Sequence, residues 1–205
     1  MTSQAAIMLC GEGDRWFARN RDKLGQVDPV CDLLEQHKVV PTAVLEIGCS
    51  DGWRLKKLRE RYGCAVNGID ASEKAVKEAE AAGIDAQWCS ADKVSFVSRR
   101  FDLVIFGFCL YLVDRVDLLR VVFESDRVLK DGGHIVVHDF YHPDRGTAYR
   151  TPYVHRVDLW SYHMNHEELW LAHPSYRRLG HIMPDDDTAA VLLKKDHAAS
   201  WPVLG

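Results

Sequence analysis

Along this chain, short apolar runs rich in β-branched residues alternate with segments in which apolar positions recur at helical spacing. An unbroken apolar run of strand length marks a buried strand, and a period near 3.6 marks one face of a helix. Their alternation predicts βαβ units around a mainly parallel sheet. The first strand is predicted over Ala43 to Gly48. Leu55, Leu58 and Tyr62 then place an amphipathic helix over Trp53 to Arg61, and Gly63 ends it.

The pattern repeats with a strand over Ala65 to Asp70, a helix from an N-capping Ser72 to about Ala82, and a short strand around Ala86 to Cys89. Phe101 to Phe106 is a fully apolar strand, and Val116 to Leu129 carries a helical stripe at Leu119, Val122, Phe123 and Val128. Asp131-Gly132-Gly133 reads as a turn into a strand over His134 to Phe140. From Tyr141 to His163 no clean period is present, which predicts a loop. Asn165 with Glu168 fits a capping box opening a further helix. Arg177 to Met183 and Thr188 to Lys194 read as closing strands joined at Asp185-Asp186-Asp187, with a loose tail after Asp196. Upstream, Val30, Leu33 and Leu34 predict a helix within Val27 to Val39 that covers one sheet face.

Composition narrows the class. The 205 residues are 47% hydrophobic and 27% charged, the balance of a globular protein able to bury a core without staples. No internal repeat or linker divides the chain, so a single domain is expected. Twenty-six basic against 30 acidic residues leave a net charge of -4, without the basic footprint of a nucleic-acid binder. The six cysteines form no C-x-x-C pair, which points to free thiols and a cytoplasmic location. Met1 to Gly11 does not read as a signal peptide, and no apolar run approaches the ~20 residues of a membrane span.

The segment that carries chemistry is Val44-Leu-Glu46-Ile-Gly48-Cys49-Ser50-Asp51-Gly52-Trp53, an apolar strand that breaks through a glycine-containing turn into a helix. In parallel sheets, ligands lie beyond the carboxyl ends of strands, where such a turn lets backbone approach them. A dinucleotide fingerprint begun at Gly48 would need glycine at Ser50 and Trp53, and a P-loop would need a Gly-Lys-Ser/Thr ending; both are absent. Glu46 before the turn suits a cationic ligand better than a pyrophosphate.

Glu46-Ile-Gly48-Cys49-Ser50-Asp51-Gly52 resembles the first motif of the class I S-adenosylmethionine-dependent methyltransferases, with Ser50 in place of the middle glycine. Gly68-Ile-Asp70 is similar to the family's second landmark, an acid at the end of the second strand that holds the cofactor's ribose. Ser90-Ala91-Asp92 resembles its adenine-contacting position. Phe101 to Asp114 and Leu129-Lys-Asp-Gly132-Gly133 match its later segments. The resemblance implies an α/β, three-layer Rossmann-like sandwich with a mostly parallel sheet of about seven strands and an antiparallel C-terminal strand. It also implies S-adenosyl-L-methionine as cofactor, contacted by Glu46, Gly48, Cys49, Ser50, Gly52, Asp70, Ala71, Ala91, Asp92, Phe106 and Gly107. By that scheme residues 1–42 form a cap or lid, 43–140 the cofactor-binding core, 141–165 a substrate loop and 166–205 the closing helix and strands.

Many family members fold an N-terminal segment over the cofactor, so Trp16, Phe17 and Arg19 are expected to close the site, with Trp16 and Arg19 touching the cofactor. His138, at the carboxyl edge of its strand, is the expected general base, with Tyr111 and His142 as further catalytic candidates. His138 and His142 straddle a strand end rather than one helical face, so no metal is expected. Asp102 and His134, at the starts of their strands, read as structural. Arg145, Arg150 and Arg156, interleaved with Tyr149, Tyr153, Trp160 and Tyr162, suit an anionic or sugar-like small molecule. The expectation is therefore O- or N-methylation of a small molecule by a monomer or homodimer, without nucleic-acid or membrane partners. The rivals are a methyltransferase-like interaction module without activity and a nicotinamide-dependent oxidoreductase.

Overall fold

The structure, a computed structural model, describes residues 3–142 and 148–197. Its centre is a seven-stranded sheet in the order β3-β2-β1-β4-β5-β9-β8. The strands are β1 (Ala43–Ile47), β2 (Ala65–Asp70), β3 (Asp85–Trp88), β4 (Phe101–Gly107), β5 (Leu129–Phe140), β8 (Tyr176–Ile182) and β9 (Thr188–Lys195). The first five run parallel, and C-terminal β9 runs antiparallel between β5 and β8. This is the expected three-layer Rossmann-like arrangement.

Alternation along the strands sends side chains into two cores. On one face, α3 (Pro29–Gln36), α4 (Trp53–Tyr62) and α5 (Glu73–Ala81) bury Leu33, Leu34, Leu55 and Ala79 against Val44, Leu103 and Val136. On the other, α6 (Arg115–Val128) and α7 (Glu168–Leu171) bury Val121, Val128 and Trp170 against Leu45, Phe106 and Ile135. Asp102 is structural as expected: it accepts the Thr42 and Ala43 amides at 2.9 and 3.0 Å, tying the entry of β1 to β4.

Four elements depart from the sequence expectation. The buried stripe of α6 is Leu118, Val121, Ser125 and Val128, while Leu119 and Phe123 face solvent. Ser125 belongs to that stripe because its hydroxyl accepts Trp170 Nε1 at 3.1 Å and donates to the Val122 carbonyl at 2.8 Å. Asp131-Gly132-Gly133 is no separate turn; β5 starts at Leu129, opposite Phe101, and its register against β4 shifts before His134. Helix α7 begins at Glu168 without an Asn165 cap, because the Asn165 amide clasps both backbone groups of His142 at 2.8 Å. Residues 141–163, expected as loop, contain a hairpin of β6 (Tyr149–Pro152) and β7 (Trp160–His163), whose strands pair only with each other.

The N-terminal segment forms α1 (Gln4–Ile7), a π-helical turn over Met8–Glu12 broken at Gly11 (φ +114°), and α2 (Gly13–Asn20). Gln4 is buried: its amide donates to the Leu112 and Trp160 carbonyls at 2.9 and 3.2 Å and accepts the Trp160 N–H at 2.6 Å. A small third core of Ile7, Tyr111, Leu112, Tyr153 and Leu159 therefore joins this segment, the turn after β4 and the hairpin. Among the described residues no helix is long and apolar enough to cross a membrane. Arg145 and the tail beyond His197 lie outside the described residues.

Candidate active site

The turn after β1 is built on three left-handed residues, Gly48 (φ +78°), Ser50 (φ +51°) and Gly52 (φ +76°). Gly48 has no alternative: a Cβ there would lie 2.7 Å from the Gly107 carbonyl oxygen. Ser50 occupies a region that non-glycine residues enter rarely, and its backbone N–H is fixed by the Asp70 carboxylate at 2.8 Å. The second Asp70 oxygen accepts the Ser72 N–H, also at 2.8 Å. Serine in place of the middle glycine is thus accommodated by the acid that ends β2.

Beyond the carboxyl ends of β1, β2 and β4 lies a cavity of about 800 Å3. Gly48, Asp70, Ala71, Ala91, Asp92 and Gly107 line it, joined from the N-terminal segment by Trp16. Asp114 and Asp117, at the start of α6, complete its acidic side. Among the described residues its lining holds four carboxylates and no lysine, arginine or histidine. Burial, with the neighbouring Asp92 and Asp114 carboxylates, pushes the Asp117 carboxyl up. Ser90 Oγ, on the same wall, is buried without a hydrogen-bond partner. A cluster of acids without a cation and an orphaned hydroxyl fit a ligand that brings positive charge and a hydrogen-bonding group. Sequence reading missed Asp117 and Gly13, another lining residue; a carboxylate in the first turn of a helix starting at the sheet's ligand edge was the available signal.

Several expected contact residues lie elsewhere. Glu46, Cys49, Ser50, Gly52 and Phe106 do not line the cavity. Cys49 packs its sulfur where a Gly68 Cβ would stand, and Phe106 packs on Trp170 at 5.2 Å. Glu46 points to the opposite sheet face, where Arg54 pairs with it and with Asp28 at 3.1 Å. Its second oxygen, Oε2, has no partner.

The expected base, His138, belongs to this same buried cluster. Its Nδ1 lies 3.4 Å from Arg54 Nη2, and an arginine can only donate, so that nitrogen is unprotonated. Burial, followed by the Arg54 charge, lowers its pKa to about 3. His138 is outside the cavity lining, with Phe108 packed against its ring at 4.5 Å. Tyr111 is buried, and its oxygen accepts Trp16 Nε1 at 2.7 Å. Burial pushes the Tyr111 phenol far above its ordinary value. His142 lines a second cavity of about 590 Å3. Among the described residues no group of acids, histidines or cysteines could hold a metal.

Of the lid residues, Trp16 faces the cavity, Phe17 is buried, and Arg19 is engaged by Glu12 at 2.7 Å and the Tyr153 hydroxyl at 2.9 Å. Arg19 therefore ties the lid to the hairpin instead of facing the cavity. The arginines of the hairpin region are also occupied: Arg150 lies over the Trp160 ring at 4.2 Å, and Arg156 pairs with Asp158 at 2.6 Å.

This sheet order and ligand edge are those of the class I methyltransferases. Residues 44–133 match the model of a methyltransferase domain. A ubiquinone/menaquinone biosynthesis C-methyltransferase of Desulfotalea psychrophila is 39% identical over 148 residues, covering 70% of this chain and 54% of that protein. A demethylmenaquinone methyltransferase of Tropheryma whipplei is 32% identical over 110 residues, covering 51% and 44%. The chain spans about half the length of the curated relatives it matches. Among solved structures, a Burkholderia thailandensis 1,6-didemethyltoxoflavin-N1-methyltransferase, with 1,6-didemethyltoxoflavin and S-adenosylhomocysteine bound, superposes with a TM-score of 0.74. It is 16% identical, with 94% of this chain and 89% of that one covered.

Proposed function

We propose that this protein transfers a methyl group from S-adenosylmethionine to a small molecule. The carrying observation is the first cavity, four carboxylates without a basic residue among its described lining. Such a lining favours a ligand with a sulfonium and an ammonium and opposes the pyrophosphate of a dinucleotide. Asp70, its carboxylate held by the Ser50 and Ser72 amides, would accept the ribose hydroxyls in this reading. Ser90 Oγ and Asp92, on the cavity wall, would meet the base in this reading.

When bound, the cofactor supplies an electrophilic methyl on a cationic sulfur. Asp70, Ser90 and Asp92 would hold that cofactor, whose methyl would be open to direct displacement by an acceptor's lone pair. The chain's part is to align the partners under Trp16 and exclude water. With His138 and Tyr111 held away from proton transfer, the arrangement favours an acceptor with a lone pair ready, such as a nitrogen, over a hydroxyl that must first be deprotonated.

Calorimetric titration with S-adenosylhomocysteine, and with NAD in parallel, tests this reading. Micromolar binding of the first alone, weakened at least about tenfold by Asp70→Ala, is expected. Binding of NAD, or of neither ligand to folded and ligand-free protein, would refute it.

A further inference from the structure

The second cavity differs in kind from the first. Phe140, Tyr149 and His163 supply ring surfaces to its wall, and exposed Asp186 and Asp187 supply carboxylates. Tyr149 and His163 are cross-strand partners of the β6–β7 hairpin, and their rings are parallel within 6° at 4.9 Å. Phe140 packs against the His163 ring at 4.6 Å, tilted by 41°. His163 Nε2 meets Ser161 Oγ at 2.9 Å, which fixes the imidazole plane. Burial keeps that imidazole below its ordinary pKa, with Asp187 opposing the shift, so it presents a neutral face at pH 7.

The two cavities are neighbours. Phe108 lines the first and Phe140 the second, and the two rings meet edge to face at 6.0 Å. Tyr111, under Trp16, meets Phe140 edge to face at 5.0 Å. One aromatic layer therefore separates them, and its Phe108 is held at φ +48°, a left-handed conformation unfavourable for a bulky residue.

We propose that the second cavity is the acceptor's seat, and that it takes a planar aromatic or heteroaromatic molecule carrying an N–H or O–H donor. This rests on the methyltransferase reading and names the substrate class for it. The described lining presents ring faces for stacking. Its two rim carboxylates accept hydrogen bonds and repel phosphates and carboxylates, and no lysine or arginine among the described residues lines it. Arg150 and Arg156, which with Arg145 suggested an anionic acceptor, are engaged on the hairpin itself. A ring seated against Phe140 is one aromatic thickness from the cofactor cavity. Its reacting atom reaches that cavity by taking the place of the Phe108–Phe140 edge contact.

Fluorescence titration of the full chain with 6-aminoquinoline, in saturating S-adenosylhomocysteine and with glucose 6-phosphate as competitor, tests the assignment. Saturable binding is expected, at least about tenfold weaker in Tyr149→Ala and His163→Ala and untouched by the sugar phosphate. Asp186→Lys and Asp187→Lys, both at exposed positions, should weaken it as well, which keeps the test decisive should His163→Ala not fold. No saturable binding, binding indifferent to the Tyr149 and rim variants, or displacement by glucose 6-phosphate would overturn the proposal. Titration with S-adenosylhomocysteine alone separates the two readings. If the quinoline binds as described and S-adenosylhomocysteine does not, the cavity is an aromatic-binding site but no methyl acceptor's seat and the methyltransferase reading falls; the reverse result removes the aromatic seat only.

Discussion

Gly13, at the start of α2, faces Ala71 so closely that a Cβ there would lie 2.6 Å from the Ala71 carbonyl oxygen. The same carbonyl accepts Trp88 Nε1 at 3.0 Å, so it cannot withdraw freely. Next to Gly13, Asp14 accepts the Ser72 hydroxyl at 2.8 Å and the Lys74 N–H at 3.0 Å, which adds a cap to α5 from outside. The lid is thereby seated on the loop that carries Asp70.

Gly13→Ala should lift α2 from that seat. Calorimetry should show S-adenosylhomocysteine affinity reduced by on the order of tenfold, and trypsin should cut faster at Arg15 or Arg19, while the sheet stays folded. Asp14→Ala should act in the same direction more weakly. Unchanged affinity in both variants would detach the lid from cofactor binding.

His138→Gln and Tyr111→Phe should leave turnover, once an acceptor is identified, within a few-fold of wild type, and should leave the pH–rate profile unshifted. A general base is worth roughly a hundredfold or more, so a loss of that size in either variant would restore it to that role. The basis is geometric: one ring is turned to Arg54 and the other's oxygen is met by Trp16.

Arg54 is buried between Glu46 and Asp28. Arg54→Met should cost about 3–5 kcal/mol in urea unfolding, because both carboxylates lose their buried partner. Adding Glu46→Gln to Arg54→Met should recover part of the loss, since one uncompensated charge is then removed. Equal losses in the single and double variants would show that the effect is packing alone.

His166 is 1% exposed and neither ring nitrogen has a hydrogen-bond partner. Burial lowers its pKa to about 3. Its folded pKa is below the unfolded value near 6.5, so its share of stability is complete above pH 6.5 and is lost as pH falls toward 3. Asp139, pushed up to about 7 by burial, acts with the opposite sign, so total stability is a poor readout. The informative quantity is the difference between wild type and His166→Leu. At pH 7.5 the variant should be at least as stable as wild type, because it removes two unsatisfied nitrogens. Between pH 6 and 4 its advantage should grow by more than ~1 kcal/mol per unit. A pH-independent difference would contradict the neutral buried ring.

The parallel half of the fold was legible because β1, β2, β4 and β5 have apolar side chains on both faces, and the turns between elements carry glycine, serine or aspartate. The motif residues Gly48, Asp70 and Asp92 reached the cavity for the same reason: their positions follow from where strands end. What sequence could not supply was direction. Glu46 and Ile47 are adjacent at the end of β1, yet only Ile47 faces the cavity, because successive side chains leave a strand on opposite faces. Arg54, which fixes the buried end of Glu46, reads in sequence as one more cation on a helix rich in them. The α6 stripe was misplaced because Ser125, a polar residue, completes the buried face through Trp170. The hairpin was missed because its strands are four residues each, β6 is exposed throughout and β7 fully buries only Ser161, so burial leaves almost no period-two trace.

Among the described residues that hairpin is hydrogen-bonded to no strand of the main sheet, and it is tethered at Gln4, Arg19 and the Tyr153–Leu159 cluster. With the acceptor seated as proposed, its choice draws in part on residues 149–163, and their exchange for a hairpin of other ring and charge content should change acceptor preference and spare cofactor binding as long as those tethers are kept. Because Gln4 grips both partners of the seam, any such exchange also resets how readily the lid lets a new acceptor in.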